Sequence, residues 1–327
     1  MIKIGTVGTG FIVDRFFDAV SKTENTVITT IYSRSEETAR AFAAKHNMAK
    51  WHTDHEAFLN DPEVDVVYVA SPNSLHYQWS LDALEAGKGV ICEKPFVATL
   101  SEAETLRDLA REKGLFLVEA ITVPHLPNFQ LLRDQLAKIS PIRLVQLNFS
   151  QYSSRHKAFL EGKNPNVFSP AFAGGALMDI NYYNLRFMLD LFGEPTEARY
   201  FPNLAENGID TSGVLILKYP EFIAEAVGAK DSRSENMAQI QGEKGYILVS
   251  NETSRCVSVK VVSPIGEETF NEQPEDNVLV YEMREFAEIY RTKDVAKRDR
   301  LMDMTCRAMK WLERARKDGG VFFEGEK

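Results

Sequence analysis

Residues 2–17 read IKIGTVGTGFIVDRFF, and the fold turns on them. Ile2–Val7 is an apolar run of strand character, Gly8-x-Gly10 follows, and a helical pattern begins at once. In this order Gly8 would make a tight turn. Gly10 would let the backbone approach a pyrophosphate at the helix N-terminus, where unpaired N–H groups and the helix dipole favour an anion. Phe11 and Ile12 open that helix and belong to the same candidate cofactor site. The third position of the pattern, commonly Gly or Ala, is Val13. A Gly-x-Gly alone also suits any strand–turn–helix junction that needs flexible residues.

The residues downstream repeat the unit. Apolar runs at 27–32, 64–70, 90–92 and 115–118 alternate with helical segments at 36–46, 75–86 and 102–112. Ser101-x-x-Glu104 has the form of a capping box, and Gly87 and Gly114 stand where helices should stop. Strands alternating with helices imply a doubly wound, mostly parallel sheet covered on both faces. From about Pro124 the grammar changes. A helix-like stretch at 128–138 leads into a long strand at 143–151, and β-like runs follow at 213–218, 223–229, 237–241, 246–250 and 257–262. Turn residues separate them, as in an antiparallel sheet. Residues 300–316 close the pattern as an amphipathic helix with Leu301, Met304, Ala308, Trp311 and Leu312 on its apolar face. The expected architecture is therefore α/β, with a dinucleotide-binding domain over 1–122. An α+β domain with a mostly antiparallel open sheet then spans 123–327.

Bulk properties narrow the function. The length of 327 residues suits about two domains. The net charge of −9 disfavours a nucleic-acid partner. Three scattered cysteines, Cys92, Cys256 and Cys306, fit a reducing compartment and show no metal spacing. No apolar run approaches a membrane span, and strand-like residues follow Met1 too closely for a leader. The expectation is a cytoplasmic protein that takes a small molecule and holds no metal. His46, His52 and His55 show no ligand pattern.

A dinucleotide site of this kind places an acid about twenty residues on, for the ribose 2′-hydroxyl. Here Ser33 and Arg34 stand there and no carboxylate does. A hydroxyl and a guanidinium suit a 2′-phosphate, so NADP(H) is favoured over NAD(H). Ser33-x-x-Glu36 also has the form of a helix cap, and both roles can hold together.

Residues 89–96 read GVICEKPF: a buried strand ends abruptly on Glu93-Lys94-Pro95. With Ser71-Pro72-Asn73 after the preceding strand, a helix opening near His76, the glycine turn before and GGALMDINYYNL (174–185) after, the chain resembles the Gfo/Idh/MocA oxidoreductases over essentially its whole length. The resemblance implies a Rossmann cofactor domain, with Ser71, Asn73, His76, Glu93 and Lys94 beside the cofactor. It further implies that Lys94 contacts the reacting oxygen and the nicotinamide ribose, and that the Lys94–Pro95 bond is cis. In a doubly wound sheet the ligand lies beyond the carboxyl ends of the strands, where Lys94 stands.

In the motif that ends on histidine in most of that family, this chain carries Asp179 and, four residues later, Tyr183, with Ala173 and Asn181 in place of usual glycines. Tyrosine there resembles the NADP-linked subset containing glucose–fructose oxidoreductase and dimeric dihydrodiol dehydrogenase. Thr122-Val123-Pro124-His125 departs from the dihydrodiol pattern, which points to a different substrate pocket. Positions i and i+4 share a helix face, so Asp179 and Tyr183 are expected side by side. A tyrosine that trades protons near neutrality needs roughly 4 kcal/mol of help against its ordinary value near 10. One ammonium at about 4 Å supplies that much at an effective dielectric near 20. Tyr183 is thus read as the proton donor or acceptor, Lys94 as its activator, and Asp179 as an anchor for Lys94 or a substrate hydroxyl. His125 is a candidate substrate contact.

The expected activity is hydride transfer between nicotinamide and a hydroxyl or carbonyl of a sugar, polyol or related diol. Alternatives are a cofactor-binding regulator without turnover, or a glycosidase or dehydratase that uses bound NAD transiently. The resemblance also implies a homodimer, or a dimer of dimers, through the open sheet face.

Overall fold

The computed structural model describes residues 1–326 and divides into two compact units. The first comprises Met1–Ala120 and Asn277–Cys306, the second Ile121–Asp276 and the chain from Arg307 onward. The first junction lies two residues from the expected one. Residues 277–306 differ from expectation: they return to the first unit.

That unit is built on six strands, β1 (Ile2–Val7), β2 (Thr26–Tyr32), β3 (Trp51–His52), β4 (Val66–Val69), β5 (Gly89–Glu93) and β6 (Leu117–Ala120). Their order is β3-β2-β1-β4-β5-β6 and every pair is parallel. All residues of β4, β5 and β6 are buried, so these strands read as unbroken apolar runs rather than alternating ones. The helices α1 (Phe11–Ser21), α2 (Glu36–Lys45), α3 (His55–Leu59), α4 (His76–Glu85) and α5 (Leu100–Lys113) fall between the strands. The capping box of α5 uses Thr99 and Glu102 rather than the expected Ser101 and Glu104. Its C-cap is Gly114, in the left-handed region at φ 65°.

The second unit carries β7 (Ile142–Ser150), β8 (Glu197–Leu204), β9 (Asp210–Lys218), β10 (Ile223–Ala229), β11 (Met237–Gly242), β12 (Gly245–Ser250), β13 (Ser258–Ser263) and β14 (Gly266–Phe270). They form one sheet in the order β14-β13-β12-β11-β7-β10-β9-β8, antiparallel except for the pair β7–β10. Helix α6 (Pro127–Ile139) packs on β12 and β13, and α8 (Tyr182–Phe192) on β7. The short α7 (His156–Leu160) follows β7. Alternate residues of β10, such as Ala224 and Ala226, are fully buried. The opposite face is half-exposed and polar: Gln146 donates to Glu225 at 2.8 Å and accepts from Gln241 at 3.0 Å.

Two helices follow the sheet. Helix α9 (Leu279–Thr292) lies in the first unit, and α10 (Val295–Asp318) begins there and runs into the second. Among the described residues no helix is long and apolar enough to cross a membrane.

Candidate functional site

In the first unit the candidate residues lie at the carboxyl ends of neighbouring strands. Gly8 follows β1 at φ 113°, and a β-carbon there would sit 2.7 Å from the Ala70 carbonyl oxygen, so only glycine makes this turn without displacing β4. Gly10 is the N-cap of α1, with no side-chain cap and no atom within 4 Å of where a β-carbon would project. Phe11 is 76% exposed, and Ile12 packs on the core while Val13 is wholly buried in it. An uncapped helix start over open space is what a pyrophosphate needs. Beyond β2, Ser33 is half-buried and Arg34 exposed, and Arg34 has no carboxylate partner among the described residues. Ser33 does not cap α2. Ser35 does, accepting from the Thr38 N–H at 3.4 Å, and Ser33 accepts from the Ser35 N–H. These residues fit a dinucleotide with a phosphorylated ribose.

Beyond β4, Ser71 is half-buried and Asn73 opens a 3-10 turn, Asn73–Leu75. Beyond β5, every residue from Gly89 to Val97 is buried except Lys94. The Lys94–Pro95 peptide is cis. Glu93 is 7% exposed; Tyr68 donates to its Oε1 at 2.5 Å and the Lys94 N–H to its Oε2 at 3.2 Å. Burial pushes the Glu93 carboxyl above its usual range, and the Tyr68 hydroxyl and the Lys94 charge offset only part of this. Glu93 is buried, and so is His76, at 1% exposure. Both His76 ring nitrogens lie against carbonyl oxygens, Nδ1 at 3.0 Å from Pro95 and Nε2 at 2.9 Å from Ser71. Burial lowers the His76 pKa. These two residues brace the turn that carries Lys94.

In the second unit every residue from Ala173 to Leu189 is buried except Asp179 and Tyr183. Tyr182 is in the core, as expected for one of two adjacent tyrosines. The helix is not uniform: Leu177–Asn181 forms a π turn and the α-helix begins at Tyr182, so the simple i, i+4 register of Asp179 and Tyr183 does not apply. Ala173 stands in the left-handed region at φ 50°, a conformation costing a non-glycine residue about 1–2 kcal/mol. Asn181 replaces glycine by donating to the Ala226 carbonyl at 2.9 Å and accepting from Asn184 at 2.9 Å. Asp210 fixes the start of the π turn, accepting from the Leu177 N–H and the Tyr200 hydroxyl, each at 2.7 Å. Burial holds the Asp210 carboxyl above its usual range.

Asp179 pairs with Lys230, a partner the sequence reading did not name. Lys230 is 3% exposed, and its ammonium lies 5.4 Å from the centre of the Phe168 ring. In sequence it looks like a surface residue of the polar stretch AKDSRSE (229–235), and nothing local marks it. His125 is 8% exposed at the end of a 3-10 turn, Val123–His125. No cluster of three or more His, Cys, Asp or Glu able to hold a metal occurs among the described residues.

Both units match known protein domains. Residues 2–120 match the model of an oxidoreductase family with an NAD-binding Rossmann fold, and residues 129–248 match the GFO/IDH/MocA C-terminal domain. The chain is 33% identical over 327 residues to scyllo-inositol 2-dehydrogenase (NADP(+)) IolU of Bacillus subtilis, covering 100% of this chain and 99% of that one. It is 29% identical over 262 residues to human trans-1,2-dihydrobenzene-1,2-diol dehydrogenase, covering 76% and 75%. KijD10, a 3-ketoreductase from Actinomadura kijaniata solved with NADP and TDP-benzene, superposes with a TM-score of 0.87 at 23% identity over 98% of both chains. The paired domains and the full-length match to a curated dehydrogenase place the chain in the Gfo/Idh/MocA oxidoreductase family.

Proposed function

We propose that the protein is an NADP(H)-dependent oxidoreductase that interconverts a secondary hydroxyl and a carbonyl on a polyol, sugar or related diol. The observation that carries the site assignment is the pattern of exposure. Lys94 alone reaches the surface from the buried run 89–97, and Asp179 and Tyr183 alone from the buried run 173–189. Chains seldom carry single polar residues out of such runs without a use for them.

Gly8, Gly10, Phe11 and Ile12 would hold the pyrophosphate on the α1 N-terminus, Ser33 and Arg34 the 2′-phosphate, and Ser71 and Asn73 would line the end of β4. The bound cofactor supplies two-electron hydride chemistry. The Lys94 ammonium polarises the substrate oxygen and stabilises negative charge on it. Tyr183 gives or takes the hydroxyl proton, a role worth typically 10²–10⁴ in rate. Asp179, its charge balanced by Lys230, accepts a hydrogen bond from a second substrate hydroxyl, which favours polyhydroxylated substrates. The names of the inositol and dihydrodiol dehydrogenase relatives support both the cofactor and the substrate class. We further propose a cytoplasmic homodimer, or a dimer of dimers, formed through the half-exposed sheet face of the second unit.

A panel of inositols, aldoses and vicinal diols with NADP+, and of ketoses and dicarbonyls with NADPH, tests the reading through nicotinamide absorbance. Net cofactor reduction or oxidation with one class, and weaker response with NAD(H), is expected. Substrate turnover without net change in cofactor would mean transient oxidation and a different reaction. No response would mean a non-catalytic role.

A further inference from the structure

The turn that carries Lys94 is held almost entirely by buried side chains. Besides Glu93 on the Lys94 N–H and His76 on the Pro95 carbonyl, Glu119 Oε1 accepts from the Phe96 N–H at 3.1 Å. The Cys92 thiol lies 3.4 Å from the Phe96 carbonyl oxygen. Glu119 is 3% exposed, and it is paired in register with Cys92 of the neighbouring strand. Its second oxygen accepts from the Thr305 hydroxyl of α10 at 3.0 Å, and Thr305 is itself 2% exposed. Glu119 therefore bridges the Lys94 turn and the last helix of the same unit, one oxygen to each.

A carboxylate buried so deeply is costly unless both oxygens are satisfied, and a hydrophobic residue of the same size would fill the space more cheaply. Phe96 is wholly buried, so its N–H has no recourse to water if the acceptor is lost. We infer that Glu119 is a positioning residue for the reaction. By accepting the Phe96 N–H while anchored on Thr305, it sets where β5 ends and hence where the Lys94 side chain emerges. This rests on Lys94 acting on the substrate oxygen, as proposed above. Glu119 itself touches no reacting atom.

Three variants of the full chain test the inference. Glu119→Met keeps the volume and removes both acceptors. Small displacements of a reacting group cost up to about 100-fold, so kcat should fall by roughly 10- to 100-fold while the NADPH Kd stays within about 3-fold. Glu119→Gln keeps an oxygen for the Phe96 N–H and can donate to Thr305, and should restore kcat to within about 3-fold of wild type. Thr305→Val loosens only the anchor and should lower kcat by about 3- to 10-fold, which keeps the test open if Glu119→Met does not fold. Wild-type kcat in Glu119→Met, or in Thr305→Val where the former is insoluble, overturns the inference. So does a Glu119→Gln variant as impaired as Glu119→Met, or a loss in Glu119→Met that falls equally on NADPH affinity. Lys94→Met separates the two levels. If it turns over normally, the reading of Lys94 has failed; if it is inactive while Glu119→Met is normal, only the role of Glu119 has failed.

Discussion

Asp179 and Lys230 form an ion pair whose ends differ in burial: the lysine side chain is 3% exposed and the aspartate 31%. The asymmetry makes a testable statement. Removing the acid strands a buried ammonium, and breaking a buried pair in this way costs about 3–5 kcal/mol. Removing the lysine leaves a carboxylate that water can reach, at a smaller cost. Asp179→Ala is therefore expected to destabilise the protein more than Lys230→Met in urea unfolding, and the reverse order would show that Lys230 is not the dependent partner. In the sequence, Asp179 was visible because it stands where the family motif carries its aspartate. Lys230 was not, because a lysine after a strand is ordinarily a solvated turn residue. Glu119 was legible in principle: like Glu93 and Lys94, it is a charge at the end of an apolar run.

At the scale of elements, Asp61 joins the start of β4 to β3. Its side chain is 1% exposed and accepts from Lys50 at 2.7 Å, His52 at 2.9 Å and the Glu63 N–H at 2.9 Å. Burial pushes the carboxyl up, but the bonds from Lys50, the Glu63 N–H and His52 outweigh it and hold the pKa at about 2. A carboxylate with a depressed folded pKa contributes stability at pH values above its unfolded value near 4. That contribution is lost as pH falls through about 2. Asp61→Asn should thus cost about 2 kcal/mol at neutral pH, and the gap from wild type should close between about pH 4 and pH 2 in denaturant titrations; a constant gap contradicts this account. His52 lacked any partner pattern in sequence because its acid lies nine positions away, in the loop between α3 and β4. The strands missed by pattern are informative too. β8 and β14 are the two edges of the larger sheet; β8 contains Pro202, and four of the five residues of β14 are exposed, Glu267 and Glu268 among them. Edge strands carry charge and proline to discourage further pairing, which erases the apolar alternation by which inner strands such as β10 are recognised.

For the whole molecule, the parallel strand–helix alternation was readable because each βαβ unit is local, whereas the return of residues 277–306 was not. Periodicity shows that a helix is amphipathic and not which sheet it will cover. Leu279, Val280, Met283, Phe286 and Ile289 of α9 enter the core around α1 and β1. At about 1.5–3 kcal/mol per buried side chain they contribute roughly 10 kcal/mol, comparable to the net stability of a domain. Asn277 fastens the segment by accepting from the Arg15 guanidinium at 3.1 Å and donating to Asp18 at 2.8 Å. A fragment of residues 1–122 is therefore expected to show no cooperative thermal transition. Residues 1–120 linked to 277–306 should show one, and cooperative melting of the shorter fragment would refute the assignment.

The most direct test of the proposed chemistry is steady-state turnover of Tyr183→Phe with the best substrate of the panel, set against its NADPH affinity. A drop in kcat of roughly 10² or more with NADPH affinity unchanged is expected if the phenol trades the proton. Turnover equal to wild type would contradict that role outright.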